Sequence, residues 1–296
     1  MRKKYEAFIP VFLFLPKEGL FLKKLLSFFL VIALFAGFLL WDNLSICAKE
    51  EQISLPSLPK SFDGLRLVQI SDLHGASFGE GNIHLLDAVE NAKPDLICIT
   101  GDLFDEKTDL SALPPFLSAL CALAPTYYVT GNHEWQIKNL KEILSEMQAL
   151  GVQVLQNTYH VLHRGGDKIV LAGVDDPCGP LERTGPDELV RQIRTEEGSD
   201  VPIIMLSHRN DELELWSDLQ VMLVLSGHCH GGVVRLPVIG GIFGTHRELF
   251  PEYDAGVFRR NGTALYVSRG LGWSSLHFRL FNRPQLSVLR LHYPNS

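Results

Sequence analysis

The stretch Ser226-Gly227-His228-Cys229-His230-Gly231-Gly232 sets two imidazoles one residue apart, between an apolar run over 221–225 and a pair of glycines. Neutral imidazole is a common ligand for transition metals. An apolar run closing in glycine reads as a buried strand that delivers both rings into a tight loop. Four further stretches share this design: Asp72-Leu73-His74-Gly75, Gly101-Asp102-Leu103-Phe104-Asp105, Gly131-Asn132-His133-Glu134 and Ser207-His208-Arg209. Asp and Asn favour turns and caps, so any one of these alone reads as an ordinary turn. Five in succession, each after an apolar run, are hard to explain that way.

Positioning them requires strands. The pattern predicts strands at 66–71, 95–100 and 127–130, separated by helices at 82–92 and 110–122 and followed by one at 136–150 that Gly151 stops. Shorter strands follow at 152–155, 159–163 and 168–174, then a helix at 187–195. Strands at 203–206, 221–225, 232–236, 264–267 and 286–291 complete the reading. Repeated strand–helix units imply parallel pairing, and the hairpin-like middle implies mixed sheets. The expected class is therefore α/β with mixed sheets, two sheets packed between helical layers. The chemical stretches fall at the C-terminal ends of strands, where open α/β folds bind ligands.

The 296 residues are 46% hydrophobic and 21% charged, a globular composition. The net charge is −7. Residues 1–49 hold seven Lys/Arg against three acids, +4, which leaves −11 for the remainder. So acidic a body is a poor nucleic-acid binder and needs cations to hold a phosphate. Five cysteines (Cys47, Cys98, Cys121, Cys178 and Cys229) lack paired spacing, so no disulfide framework or zinc finger is expected.

Residues 25–41 are uninterruptedly apolar, preceded by Lys23 and Lys24, and long enough to cross a bilayer. A cleaved secretory signal is the alternative, but 46–48 is a poor cleavage site, so a retained single-pass anchor in the bacterial cytoplasmic membrane is favoured. The positive-inside rule places the body outside; a first apolar patch at 8–15, folded into a hairpin, would return it to the cytoplasm. The expected organisation is an anchor over 1–49, a polar connector over 50–60 and one catalytic domain over 61–296.

Together, Asp-Leu-His, Gly-Asp-Leu-Phe-Asp, Gly-Asn-His-Glu, Ser-His and Gly-His-Cys-His resemble, in this order, the calcineurin-like metallophosphoesterases over residues 66 to about 236. The resemblance implies a four-layer αββα sandwich and a two-metal site. One metal would take Asp72, His74, Asp102 and His230; the other would take Asp102, Asn132, His208 and His228, with Asp102 as the bridge. Such donors suit Mn²⁺, which is favoured, and also Fe or Zn²⁺. It also implies that His133 is the non-ligand histidine near the leaving oxygen, with Asp105 as its orienting partner. Arg209 is read as a phosphate contact or a surface ion pair, Glu134 as an outer carboxylate or a helix cap, and Cys229 as packing. His84, His160, His163, His246, His277 and His292 are read as ordinary polar residues.

The residues from Gly227 to Gly240, with 266–272, look like the membrane-associated bacterial branch. This chain has Cys229 and Val233 where that branch usually carries Thr and Gln. Within the resemblance stand enzymes that cleave UDP-2,3-diacylglucosamine to UMP and the lipid 1-phosphate in lipid A biosynthesis. The expected partners are therefore a membrane and a lipid-linked nucleotide. The alternatives are an exported phosphodiesterase acting on envelope polymers or nucleotides, and a metal-holding scaffold. The loop 238–243 is read either as an acyl or bilayer contact or as a turn packed under the sheet.

Overall fold

The computed structural model describes residues 17–180, 184–245, 248–273 and 278–294. The patch over 8–15, His246 and His277 lie outside them. The chain divides into two compact units, Met1–Trp41 and Asp42–Ser296. The described residues begin with α1 (Lys17–Leu44), of which 21–44 form a helix long and apolar enough to cross a membrane.

The body alternates strand and helix: β1 (Cys47–Ser54), β2 (Arg66–Ile70), α2 (Ile83–Ala92), β3 (Leu96–Thr100), α3 (Leu113–Leu123), β4 (Thr126–Val129), α4 (Leu140–Ala149) and β5 (Gln153–Val154). Then come β6 (Thr158–Arg164), β7 (Asp167–Gly173), α5 (Pro186–Glu197), β8 (Ile203–Leu206), α6 (Leu213–Asp218) and β9 (Leu223–Ser226). The small hairpin β10 (Arg235–Leu236) and β11 (Gly240–Gly241) precedes β12 (Gly256–Arg260), β13 (Thr263–Val267) and β14 (Gln285–His292).

Two six-stranded sheets result, ordered β1-β14-β2-β3-β4-β5 and β12-β13-β9-β8-β7-β6. Their central pairs (β2–β3, β3–β4, β7–β8, β8–β9) are parallel. Strands β3, β4, β8 and β9 are buried along their whole length, as parallel strands covered on both faces must be. Leu67, Leu171, Leu206 and Leu225 belong to the core between the sheets. A second core joins the first sheet to α2, α3 and α4, and a third joins the other sheet to α5 and α6. This is the expected αββα layering. Helix α5 shows the local logic: Pro186 opens it, Asp187 and Glu188 face its positive end, Leu189, Val190 and Ile193 are buried, and left-handed Gly198 stops it.

Three expectations change. The connector over 50–60 is in part strand β1, paired in parallel with β14 from Cys47↔Gln285 to Ser54↔His292. Cys47-Ala48-Lys49-Glu50-Glu51-Gln52 is polar because an edge strand exposes one face, and Ile53 alone on it is fully buried. The domain thus begins before residue 61. The strand expected over 232–236 shrinks to Arg235–Leu236, because Gly231 and Gly232 adopt left-handed φ and prolong the loop. The helix expected from 136 starts at Leu140, after a single 3₁₀ turn over Glu134–Gln136.

A chain beginning at Asp42 should keep the melting temperature of the body. One beginning at Leu55 loses Ile53 and a strand ladder, worth at least about 3 kcal/mol, or roughly 6–12 °C at this size. Differential scanning fluorimetry decides; equal melting temperatures would mean that β1 adds nothing.

Candidate metal centre

The site forms where the two sheets meet at the C-terminal ends of β2, β3, β4, β8 and β9. Backbone packing there leaves no room for ordinary side chains. A Cβ on Gly227 would lie 1.9 Å from Ser71 Oγ, and one on Gly131 would lie 2.2 Å from Asp102 Oδ1. Asp72, Asp102, His74, His228 and His230 all adopt left-handed φ of 48–65°. Strain of this kind concentrates at functional sites and needs surrounding structure to hold it. Hydrogen bonds do so: Gln69 Nε2 donates to Thr100 Oγ1 (2.8 Å) within the first sheet and to Ser226 O (2.9 Å) across to the second, and His228 N donates to Asp72 Oδ1 (2.9 Å).

Three donor clusters result among the described residues: Asp72, His74 and His230; His74, Asp102 and His133; and Asp102, His208 and His228. His74 Nε2 and His230 Nε2 face each other at 3.2 Å. Asp72 Oδ1 lies 3.7 Å from His230 Nε2. Asp102 Oδ2 is shared, at 3.6 Å from His74 Nε2 and 3.2 Å from His208 Nε2. His208 Nε2 also lies 3.2 Å from His228 Nδ1. Because a carbonyl only accepts, the 2.8 Å contact to Thr100 O fixes the His208 proton on Nδ1 and turns Nε2 into the cluster.

The electrostatics call for cations. Burial opposes charge on His208, yet the Asp102 carboxylate overrides it and lifts the imidazole to about 10. The same pocket, by burial, pushes Asp72 up and His230 well down. Asp72 Oδ2, Asn132 Oδ1 and His230 Nδ1 are buried without hydrogen-bond partners. Unpartnered buried acceptors are costly unless something binds them. Two carboxylates, an amide oxygen and four imidazoles suit divalent cations of the Mn, Fe or Zn kind without choosing among them.

A family model for calcineurin-like phosphoesterases matches residues 65–232. The chain belongs to this family. Among curated relatives it is 32% identical to the uncharacterized metallophosphoesterase YkuE of Bacillus subtilis, over 83% of this chain and 85% of that one. It is 30% identical to phosphodiesterase YaeI of Escherichia coli, over 76% and 82% of the two chains. A zebrafish transmembrane protein with a metallophosphoesterase domain is 29% identical over 81% of this chain, which spans 56% of that protein's length. The protein is a metal-dependent hydrolase of the calcineurin-like type.

Six of the seven expected ligands fall in these clusters, Asn132 lines the same cavity, and His133 stands with its ring edge-on to His74, centroids 4.8 Å apart. Cys229 is buried in the outer core, as a packing residue should be. Arg209 is placed differently from a phosphate-gripping residue. Its Nε and Nη2 hold Asp176 at 2.7 and 3.0 Å, and Nη1 lies 2.9 Å from His228 Nε2. The buried Asp176 carboxylate takes the guanidinium fork, which sets the arginine against the outer edge of the His228 ring. Asp105 also departs from expectation. Its Oδ1 accepts from Thr108 Oγ1 and Lys107 N, which turns Oδ2 toward His74 Nδ1 at 3.9 Å instead of toward His133.

Glu134 does more than either role read from the sequence. Fully buried, it accepts from the backbone N–H of Asp102 (3.0 Å), Leu103 (2.7 Å) and Gly131 (2.8 Å), clamping two ligand loops together. Burial, and then the Asp102 charge, raises it to about 8. The carboxylate two residues after Asn132 was the only signal for this, and spacing alone does not show which backbone it reaches.

Asp102→Ala should cost the protein both metals, read as metal per chain by plasma mass spectrometry; two retained equivalents would refute the bridge. Glu134→Gln sets an NH₂ group against N–H donors, which costs about 1–3 kcal/mol for each one left unpaired. It should therefore lower both the melting temperature and metal affinity by calorimetry. Unchanged values would deny Glu134 its clamping role.

Proposed function

We propose that this phosphoesterase hydrolyses a phosphodiester or pyrophosphate bond in a lipid-linked substrate, with UDP-2,3-diacylglucosamine as the leading candidate and UMP and the lipid 1-phosphate as products. The single observation that carries the hydrolytic part is the sharing of Asp102 Oδ2 between the two imidazole clusters. Two divalent cations bound there would offset phosphate charge and supply hydroxide near neutral pH. Asp72, His74, Asp102 and His230 would hold one, and Asp102, Asn132, His208 and His228 the other; Mn²⁺ is the favoured ion.

The chain's own groups do the rest. His133 lines a cavity of about 770 Å³ together with His74, Asp102 and Asn132. Its ring is free of the ligand sets assigned above, so it can donate a proton to the leaving oxygen. Its backbone N–H donates to Asp102 Oδ1 at 2.9 Å, which ties its loop to the shared carboxylate. Lys107 lines the same cavity and supplies a cation for phosphate there, since Arg209 is engaged by Asp176. Val233, Phe243 and Trp273 add apolar lining to the same cavity. A ligand that carries both a phosphate and an apolar group matches this mixed lining. The apolar helix over 21–44 supports placing the protein in a bacterial cytoplasmic membrane, where such a substrate resides.

His133→Ala should keep its metals yet lower turnover about 10²–10⁴-fold; equal turnover, or lost metal, would remove it from proton transfer. The full chain incubated with Mn²⁺ and UDP-2,3-diacylglucosamine should release UMP. Hydrolysis of a soluble diester without any UMP would keep the phosphodiesterase and discard this substrate.

A further inference from the structure

Large apolar side chains on the body's surface are not scattered. Residues 42–296 carry eleven exposed ones among the described residues. Six of them, Leu236, Val238, Ile239, Phe243, Leu249 and Phe250, lie on the β10–β11 hairpin and the segment after it. Phe278 and Phe281 are two more. Backbone pairing brings the two segments together: Val234 bridges Leu280, and Arg235 N donates to Leu280 O at 3.0 Å. Phe243 in turn pairs with Leu249. Clustered exposed apolar surface marks an interaction site, whereas single exposed residues do not.

The backbone shows that these side chains are kept at a cost. Val238 stands fully exposed at the hairpin tip with φ +71°, where glycine or asparagine would be easy and a β-branched residue is strained. Phe250 and Phe281 also adopt left-handed φ, 58° and 54°. Solubility alone would select against an apolar residue at such positions.

Chain connectivity says what covers them. The membrane-crossing run ends at Leu44. Its last residues are pinned to this same surface: Asn43 exchanges hydrogen bonds with the Arg279 backbone (2.9 and 2.8 Å), and Asn282 N donates to Asp42 Oδ2 at 3.3 Å. The place where the chain leaves the bilayer is thereby tied to the base of the apolar hairpin.

We propose that the β10–β11 hairpin, with Leu249, Phe250, Phe278 and Phe281, inserts into the bilayer interface. Phe243 belongs both to this surface and to the cavity wall, so the apolar surface reaches the cavity lined by His74, Asp102 and Asn132. Resting on the function proposed above, this makes the substrate class a membrane lipid whose phosphate enters the cavity while its acyl chains stay in the bilayer. Interfacial segments of this kind bind through buried apolar area.

The test uses the full chain in nanodiscs. Val238→Trp should add quenching by lipids brominated along the upper acyl chain beyond that of the native tryptophans, Trp41 among them, whereas Leu215→Trp, at an exposed apolar position elsewhere on the body, should add none. Added quenching no stronger than that of Leu215→Trp, or acrylamide access equal to it, overturns the proposal. A second arm uses Val238→Asp with Ile239→Asp. Turnover of a long-chain lipid phosphodiester embedded in the nanodisc should fall at least about tenfold, while hydrolysis of a soluble diester stays as in the wild type. An equal loss for both substrates also overturns it. If the wild type hydrolyses neither substrate, the functional reading fails, yet the quenching result still decides the membrane contact.

Discussion

The Asp102 carboxylate is buried between two imidazole clusters, and the rest of the structure answers that fact. Its Oδ2 faces His74 on one side and His208 on the other, while Oδ1 is held by the backbone of His133. Asp72 adds a second buried acid within the same space. Two carboxylates in a dry pocket repel one another and draw in positive charge. Without a cation, the pull falls on protons and lifts His208 to about 10. With cations, the same field holds metal.

Bringing these donors together demands a close approach of loops that would otherwise stay apart. The fold meets this demand with two sheets whose parallel strands end at one rim. Glycines at 131 and 227 sit where any Cβ would collide with an acid or its neighbour. Left-handed backbone at five donor positions then turns each side chain inward. Such a loop set is locally unfavourable, and buried polar bonds offset its strain. Glu134 binds three backbone amides across two loops, and Gln69 crosses from one sheet to the other. Arg209, held by Asp176, stands against the outer edge of the His228 ring. The strained loops and the buried bonds that hold them form a single device.

Much of this device can be read from residue order. Apolar runs ending in Asp-x-His, Gly-Asp or Gly-Asn-His mark both the strand and the polar residue at its end, so β2, β3, β4, β8 and β9 and the side chains gathered at their ends were legible. What stayed hidden depends on contacts across the fold. Strand β1 is polar in sequence because it lies at an edge, and only its partner β14 shows it to be a strand. Arg209 carries the right chemistry for phosphate, but the buried acid that captures it, Asp176, comes thirty-three residues earlier in the chain. Asp105 caps its own turn, a local bond that outweighs the longer reach to His133. The clustering of exposed apolar residues from 236–250 and 278–281 appears only once Val234 and Leu280 pair.

Asp102 is placed where two divalent cations, if bound, would share its carboxylate. Electron paramagnetic resonance of the full chain loaded with two equivalents of Mn²⁺ addresses this directly. A spin-coupled pair, with broad, temperature-dependent features, is the predicted spectrum. Two independent six-line Mn²⁺ signals that add without coupling would contradict the account, whatever activity accompanied them.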